Sequence, residues 1–390
     1  MRTLKSVCFI TTVNHNVGDD FVREGILYLI EKKFGPVTAS LIHKHIPLTA
    51  RPEWEWFHAK GFSRIFDTLP MIKGLFWSRL IDSLPLNPET DKVLSSDLLV
   101  QSGAPVYWGG AHDSEWYGPL IRRRYERIKD RVPFVNIGAG ACYPYHCNVD
   151  EIIRAPLFAD YVKELHAAAA VTTVRDSLSK KILNSMGLDA PVIPCPSIFA
   201  ADRLTISPGE PEYVVLNYMP LGGHYDFNRE VDSEKWERTF VSLYDAASKE
   251  TPVLIVCHDA IELRHARRLL PEAAIFFGST AAEYLECYSR AKCFVGNRVH
   301  GAYAVASIGR PAFVVGNDSR ALMMEEIGLQ SIFVNDANLD TLLLWIQEME
   351  GRRGSYSDEM QSIKSKALGN YLKSLSALDD CGGEGREYTR

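Results

Sequence analysis

Along most of the chain, short runs of β-branched and aliphatic residues alternate with longer stretches whose apolar positions recur at helical spacing. In the first half the strand-like runs are SVCFITTV (6–13), VTASLIH (37–43), DLLVQSG (97–103), PFVNIGAG (133–140) and AVTTVRD (170–176). In the second half EYVVLNY (212–218), TPVLIVCHD (251–259), EAAIFFG (272–278), AKCFVGN (291–297) and RPAFVVGND (310–318) repeat the pattern. Continuous apolar strands separated by amphipathic helices predict parallel sheets covered on both faces. Between the two sets, LTISPGEPEYV places Pro208, Gly209 and Pro211 just ahead of a new strand, which is linker composition. The expected fold class is α/β, with two Rossmann-like domains (1–207 and 208–378) facing across a cleft and a polar, glycine-rich tail at 379–390 expected to be disordered.

Bulk properties narrow the functions this fold can serve. At 390 residues, 46% hydrophobic and 24% charged, the chain has the length and balance of about two globular domains. Its formal net charge of −6 gives no general attraction to nucleic acid, so any anion must be met locally. The opening MRTLKSVCFITTV is interrupted by Asn14, His15 and Asn16 after one strand's length and reads as a first strand rather than a secretory signal. No window approaches the roughly 20 apolar residues of a membrane helix. The eight cysteines are scattered, several of them in apolar runs, which favours free thiols in a reducing, cytoplasmic setting over a disulfide framework. Cys142, His146 and Cys147 lack a second ligand pair at zinc spacing, so neither a metal nor a cofactor is expected.

Open parallel sheets bind ligands beyond the carboxyl ends of their strands, so the chemistry should lie just after each strand. There, AKCFVGNRVHG ends a buried strand in Gly296-Asn297-Arg298 and starts a small-residue helix at once, with His300 in its first turn. Free backbone N–H groups and the helix dipole favour an anion at such a point, and an arginine fork fits phosphate or carboxylate. VLIVCHDAIE delivers His258 and Asp259 to another helix start; Asp259 has the character of an N-cap, whereas His258 can reach the same anion. Near the N-terminus, Asn16, Gly18, Asp19 and Asp20 form a turn before an amphipathic helix. One aspartate can cap that helix and the other is a candidate general base. No G-x-G-x-x-G follows any strand, which excludes a dinucleotide fingerprint.

Taken in order, these motifs resemble the polysaccharide pyruvyl transferase family, whose members are similar to two-domain glycosyltransferases of the GT-B type. The resemblance rests on N-x-G-D at Asn16–Asp19, V-R-D-x-x-S at Val174–Ser179, P-C-P-S at Pro194–Ser197, His258-Asp259, R-V-H-G at Arg298–Gly301 and G-x-P at Gly309–Pro311, and spans roughly residues 8 to 335. It implies transfer of a pyruvyl group from phosphoenolpyruvate to two hydroxyls of a sugar, forming a cyclic ketal and releasing phosphate. Arg298 and His300 would then hold the donor, with Asn297 beside them; His300 or His258 would be the acid, and Asp19 or Asp20 the base. The N-terminal domain would take the saccharide acceptor and the C-terminal domain the donor.

Two departures from the family pattern mark open questions. Where members carry an arginine at the end of the first C-domain strand, this chain has Asn217 and Tyr218, leaving Asn217, Arg229 or Arg320 to serve the donor. The loop 102–118 is unusually aromatic, and Tyr107, Trp108, His112, Trp116 and Tyr117 offer flat faces for a sugar, alongside Asn16. Residues 51–81 mix Trp, Phe, Lys and Arg; they suit either a buried helical insertion or contact with the inner membrane face bearing a lipid-linked acceptor. Arg175 reads mainly as a brace of the cleft. Two further readings stand beside the first: a GT-B glycosyltransferase using a nucleotide sugar, with Glu325 or Glu326 on the ribose, and a non-catalytic sugar-binding protein.

Overall fold

The structure, a computed structural model, describes residues 4–13, 16–43, 92–93, 95–103, 105–111, 132–220, 231–351 and 353–380. The expected runs form strands of two parallel sheets. In the first, β1 (Ser6–Thr11), β2 (Thr38–His43), β3 (Leu98–Ser102), β5 (Phe134–Ala141) and β6 (Val171–Val174) lie in the order β2-β1-β3-β5-β6, and the short β4 (Pro105–Tyr107) also pairs with β5. In the second, β7 (Tyr213–Asn217), β8 (Val253–Val256), β9 (Ile275–Phe276), β10 (Ala291–Gly296), β11 (Ala312–Gly316) and β12 (Gln330–Phe333) run in the order β12-β11-β10-β7-β8-β9. The second order is that of a dinucleotide-type doubly wound sheet, reversing direction between β7 and β10. The first reverses between β1 and β3. At such a reversal the helices leave on opposite faces and open a crevice at the carboxyl ends of the strands.

Two strands were not anticipated, each for a physical reason. β4 is three residues long, too short for a period to show, and β12 is partly exposed and lacks an apolar run.

The halves are joined by more than a linker. One apolar core runs from Phe9 of β1 and Phe21 and Ile26 of α1 (Val17–Phe34) through Ile198 and Phe199 to Ala302–Ala306 and Tyr371. Separate cores fill the outer faces of the two sheets. Gly25 permits the tight seat of α1, because a Cβ there would stand 1.7 Å from the Pro196 carbonyl oxygen. The long helix Arg353–Leu375, assigned by its sequence position to the second domain, returns across the first. There the Tyr371 hydroxyl donates to the Pro194 carbonyl at 2.9 Å, and Lys33 pairs with Asp379 at 2.8 Å. Asp379 and Asp380 of the expected tail thus still belong to a short helix, Ala377–Asp380, while 381–390 lie outside the described residues. Among the described residues no helix is long and apolar enough to cross a membrane.

Candidate active site

A cavity between the sheets is lined by Arg175 and Asn16 from the first half and by His258, Arg298, His300 and Arg320 from the second, among others. Three guanidinium groups and two imidazoles from four separate segments therefore meet in one place. The topology explains the convergence: each residue stands just beyond the carboxyl end of a parallel strand or at the helix start that follows it.

Arg298 is the N-cap of the helix Val299–Ser307, and its placement depends on two buried side chains that take no part in the cavity's charge. Asn217, at the end of β7, accepts from the Arg298 and Asn297 backbone N–H groups at 2.9 and 3.2 Å. Its amide donates to the Val256 carbonyl at 2.9 Å and to Glu262 at 3.1 Å. The Asn297 side chain accepts from Met219 N–H (2.9 Å) and the Trp236 indole (3.1 Å), and donates to the Val315 carbonyl (2.9 Å) and Asn317 (2.8 Å). An amide has two donor hydrogens and an acceptor oxygen, and both residues have spent them within the protein. Asn217 does not line the cavity, which corrects the expectation that it touches the donor, whereas Asn297 does line it; together they tie the turns after β7, β8, β10 and β11.

The Arg298 guanidinium is gripped by two carboxylates, Asp259 through Nη2 and Glu262 through Nε. Asp259 also caps the helix Ala260–Leu269, accepting from Ile261 and Glu262 N–H at 2.8 and 2.9 Å. Glu262, only 1% exposed, takes a further bond from His258 N–H at 2.7 Å. Burial pushes its carboxyl group above the ordinary value, with the Arg298 charge pulling the other way. Sequence reasoning missed Glu262, because its partners lie 36 and 45 residues away and nothing local distinguishes it from a surface helix residue.

His258 is buried, with Nε2 2.6 Å from the Tyr288 hydroxyl and Nδ1 without a partner. His300 stands at the cleft, its Nε2 3.0 Å from Arg175 Nη1, and a Cβ on Gly18 would come within 2.7 Å of its Nδ1. Gly18 therefore lets the start of α1 close on His300. Both imidazoles have pKa values well below the ordinary 6.5: burial acts first on each, followed by Arg298 for His258 and by Arg175, Arg320, His258 and Arg298 for His300. Both shifts favour the neutral imidazole.

Arg175, which sequence reasoning left as a brace, is 1% exposed and lines the cavity. Its Nη1 reaches the Gly103 carbonyl at 3.3 Å and Cys195 Sγ at 3.7 Å besides His300, while Nε and Nη2 have no hydrogen-bond partner among the described residues. Arg320 differs in lying bidentate on its own neighbour Asp318, at 2.7 and 2.8 Å.

The remaining candidates sit farther from the chemistry. Asn16 lines the cavity and uses its side-chain oxygen to cap α1 through Gly18 N–H at 3.0 Å. Asp20 is paired with Arg23 at 2.7 Å, and burial raises its pKa. Asp19, half-buried in the same first turn, and Asp20 are not part of the cavity lining. Tyr107 is 0% exposed in the core of the first sheet, 3.5 Å from the Asn136 amide, so its expected stacking on a sugar is corrected: it has no free face. Trp108 is half-buried against the same core. His112, Trp116, Tyr117, Arg229 and the stretch 51–81 lie outside the described residues. Glu325 and Glu326 occupy the 3-10 segment Ser319–Ile327 without lining the cavity.

Comparisons with known proteins agree on the class. A likeness extends over the whole chain to the S. aureus MnaA–UDP co-structure (10% identity, 99% of this chain and 100% of that one, TM-score 0.55). A putative UDP-N-acetylglucosamine 2-epimerase from Listeria monocytogenes is similar to the same degree (11%, 100% of both chains, TM-score 0.55). The UDP-GlcNAc 2-epimerase from Neisseria meningitidis bound to UDP-GlcNAc follows (12%, 96% and 99%, TM-score 0.53). At such identities the likeness speaks for the fold alone, the two-domain GT-B-like arrangement. A search of curated protein sequences gives no significant match. The family model for polysaccharide pyruvyl transferase matches residues 16–319, and the chain belongs to that family.

Proposed function

We propose that the protein transfers a pyruvyl group from phosphoenolpyruvate to two hydroxyls of a saccharide, a cell-surface glycan or its lipid-linked precursor, at the inner face of the membrane. The observation that carries this reading is the meeting of Arg175, Arg298 and Arg320 on one cavity with two neutral imidazoles, the first arginine having two buried nitrogens unpartnered. A small donor with a phosphate and a carboxylate matches these guanidinium forks, of which Arg175 has no carboxylate of its own among the described residues.

The reaction needs a proton on the methylene carbon, two attacks at the adjacent carbon and departure of phosphate. His300 gives its proton to the methylene carbon, which becomes a methyl group. The first hydroxyl then bonds to the neighbouring carbon, and the second displaces phosphate to close the ketal. Of the two hydroxyl protons, one restores His300 and the other leaves with phosphate. Arg298 and Arg175 clamp the donor and stabilise the charge on the leaving phosphate. No metal or other cofactor enters the scheme.

Thermal unfolding with phosphoenolpyruvate tests the donor, with a panel of nucleotide sugars alongside. A ligand at about 100 times its Kd stabilises the folded state by about 2.7 kcal/mol. The expected outcome is a raised midpoint with phosphoenolpyruvate that disappears in Arg298→Ala. A rise with nucleotide sugars alone would replace this reading by glycosyl transfer, and no rise with either would favour a sugar-binding protein.

A further inference from the structure

Each arginine in the cavity has a different relation to negative charge. Arg298 carries Asp259 and Glu262, and Arg320 carries Asp318. Arg175 has no carboxylate partner among the described residues: the Asp176 oxygens are occupied by Ser179 N–H at 2.7 Å and Ala141 N–H at 3.2 Å. What it has instead is His300, across the cleft at 3.0 Å. A guanidinium only donates hydrogen bonds, so the imidazole nitrogen facing it must supply a lone pair. That contact fixes the tautomer of His300, with Nε2 bare and the proton on Nδ1, and bars protonation at Nε2 for as long as Arg175 stays in place.

We infer that Arg175 and His300 form a switch worked by the donor: the arriving anion draws the Arg175 guanidinium away from His300 Nε2, and the freed nitrogen takes a proton from solvent. The inference rests on the donor reading above and adds to it the origin of the proton delivered to the methylene carbon. Arg175 is here a positioning residue for His300 as well as a ligand of the donor. The contacts that restrain it, to His300 Nε2, the Gly103 carbonyl and Cys195 Sγ, include no carboxylate, so a charge-assisted bond to phosphate or carboxylate is the stronger competitor.

The charged and titratable groups bearing on His300 are Arg175 after β6, His258 after β8, Arg298 after β10 and Arg320 after β11, and all of them oppose the imidazolium. Cys195 lies beside Arg175, and Asp259 and Glu262 are engaged with Arg298. The start of α1 meets His300 through Gly18, with Asp19 and Asp20 following in that turn. A multiply charged anion placed among these cations reverses the balance, so that binding and protonation support each other. The acid is thereby loaded when there is a donor to receive its proton.

Calorimetric titration of the full chain with phosphoenolpyruvate decides the matter. Two non-phosphate buffers of different ionisation heat are used at about pH 7.5, where the donor's phosphate, with a second pKa of about 6, is largely ionised. The difference in apparent heat gives the protons exchanged. The expected result is an uptake of between about half and one proton per donor bound, as for a single imidazole charged on binding. In His300→Gln the donor should still bind, through the arginines, with the uptake gone. In Arg175→Gln the His300 ring, followed by NMR of its carbon-bound protons, should titrate at a higher pH in the unliganded protein than in the wild type. Binding of phosphoenolpyruvate without proton uptake by the wild type overturns the switch and leaves the donor reading intact. An absence of binding overturns the donor reading, and the switch with it.

Discussion

The two walls of the cleft are built differently. On the second sheet, four turns are sewn together by Asn217, Asn297 and Glu262, whose polar atoms are spent on one another and on the backbone, and Arg298 is held between two carboxylates. On the first sheet, Arg175 reaches the same cavity with two nitrogens unpaired and a histidine of the opposite wall as its main contact. Preorganisation lowers the cost of binding but also fixes the geometry, whereas an unsatisfied buried cation is held ready for whatever anion arrives. One wall is a finished cradle; the other is completed by its ligand.

Replacing each arginine by methionine, which keeps most of the volume, breaks this comparison most directly. Arg298→Met leaves Glu262 buried without its counter-ion, and loss of one partner of a buried pair costs about 3 kcal/mol or more. Its midpoint should fall by several degrees, and transfer activity should drop at least about 100-fold. Arg175→Met removes a charge that burial already disfavours, so it should lose activity on the same scale while its midpoint stays level or rises. Thermal unfolding and a phosphate-release assay on both variants check the contrast; equal loss of stability would mean that the walls do not differ as described.

Asn217→Ala tests the stitching itself and should have a smaller effect. It strips acceptors from two buried N–H groups and a donor from Glu262, at about 1–3 kcal/mol in stability. Arg298 would remain charged but less well aimed, so the KM for the donor should rise about 10-fold with a lesser change in kcat. Steady-state kinetics and denaturant unfolding measure the two parts separately.

Most of the architecture, and half of the site, could be read in the chain. Apolar runs marked ten of the twelve strands among the described residues because strand period and burial are local properties, and Arg298 and His300 stood out because they follow one of those runs without a break. What stayed hidden depends on partners distant in sequence. Asn217 meets Arg298 81 residues away, and Arg175 meets His300 at a separation of 125. An asparagine at a strand end looks the same whether it faces a ligand or is saturated by neighbouring turns. Tyr107 misled for a related reason: an aromatic loop and a short buried strand have the same composition. Arg175 did leave a trace, as an arginine at the carboxyl end of a buried strand, a position equivalent to that of Arg298 in the other half.

The smallest effect is one of pH, and it separates the walls by their histidines. His258 and His300 are both held below the ordinary 6.5 in the folded protein. The unfolded chain therefore binds more protons than the folded one at pH values below about 6.5, and stability decreases as pH falls through that window. Each histidine contributes a slope of at most about 1.4 kcal/mol per pH unit. The raised carboxyl groups of Glu262 and Asp176 act in the opposite sense nearer their own range, so the window to examine lies just below 6.5. With phosphoenolpyruvate saturating, His300 is already protonated in the folded state and its contribution reverses sign, favouring the folded protein more as pH falls, whereas His258, sealed against Tyr288 on the finished wall, should contribute as before. Denaturant unfolding between about pH 5.5 and 7, with and without donor, should thus show a slope lower by about one proton at each pH when donor is bound. His258→Gln should lower the slope further, leaving the part due to His166, which burial also holds below 6.5. A donor-bound slope equal to that of the free protein would show that His300 remains neutral on the ligand, and the difference between the walls would then be one of packing alone.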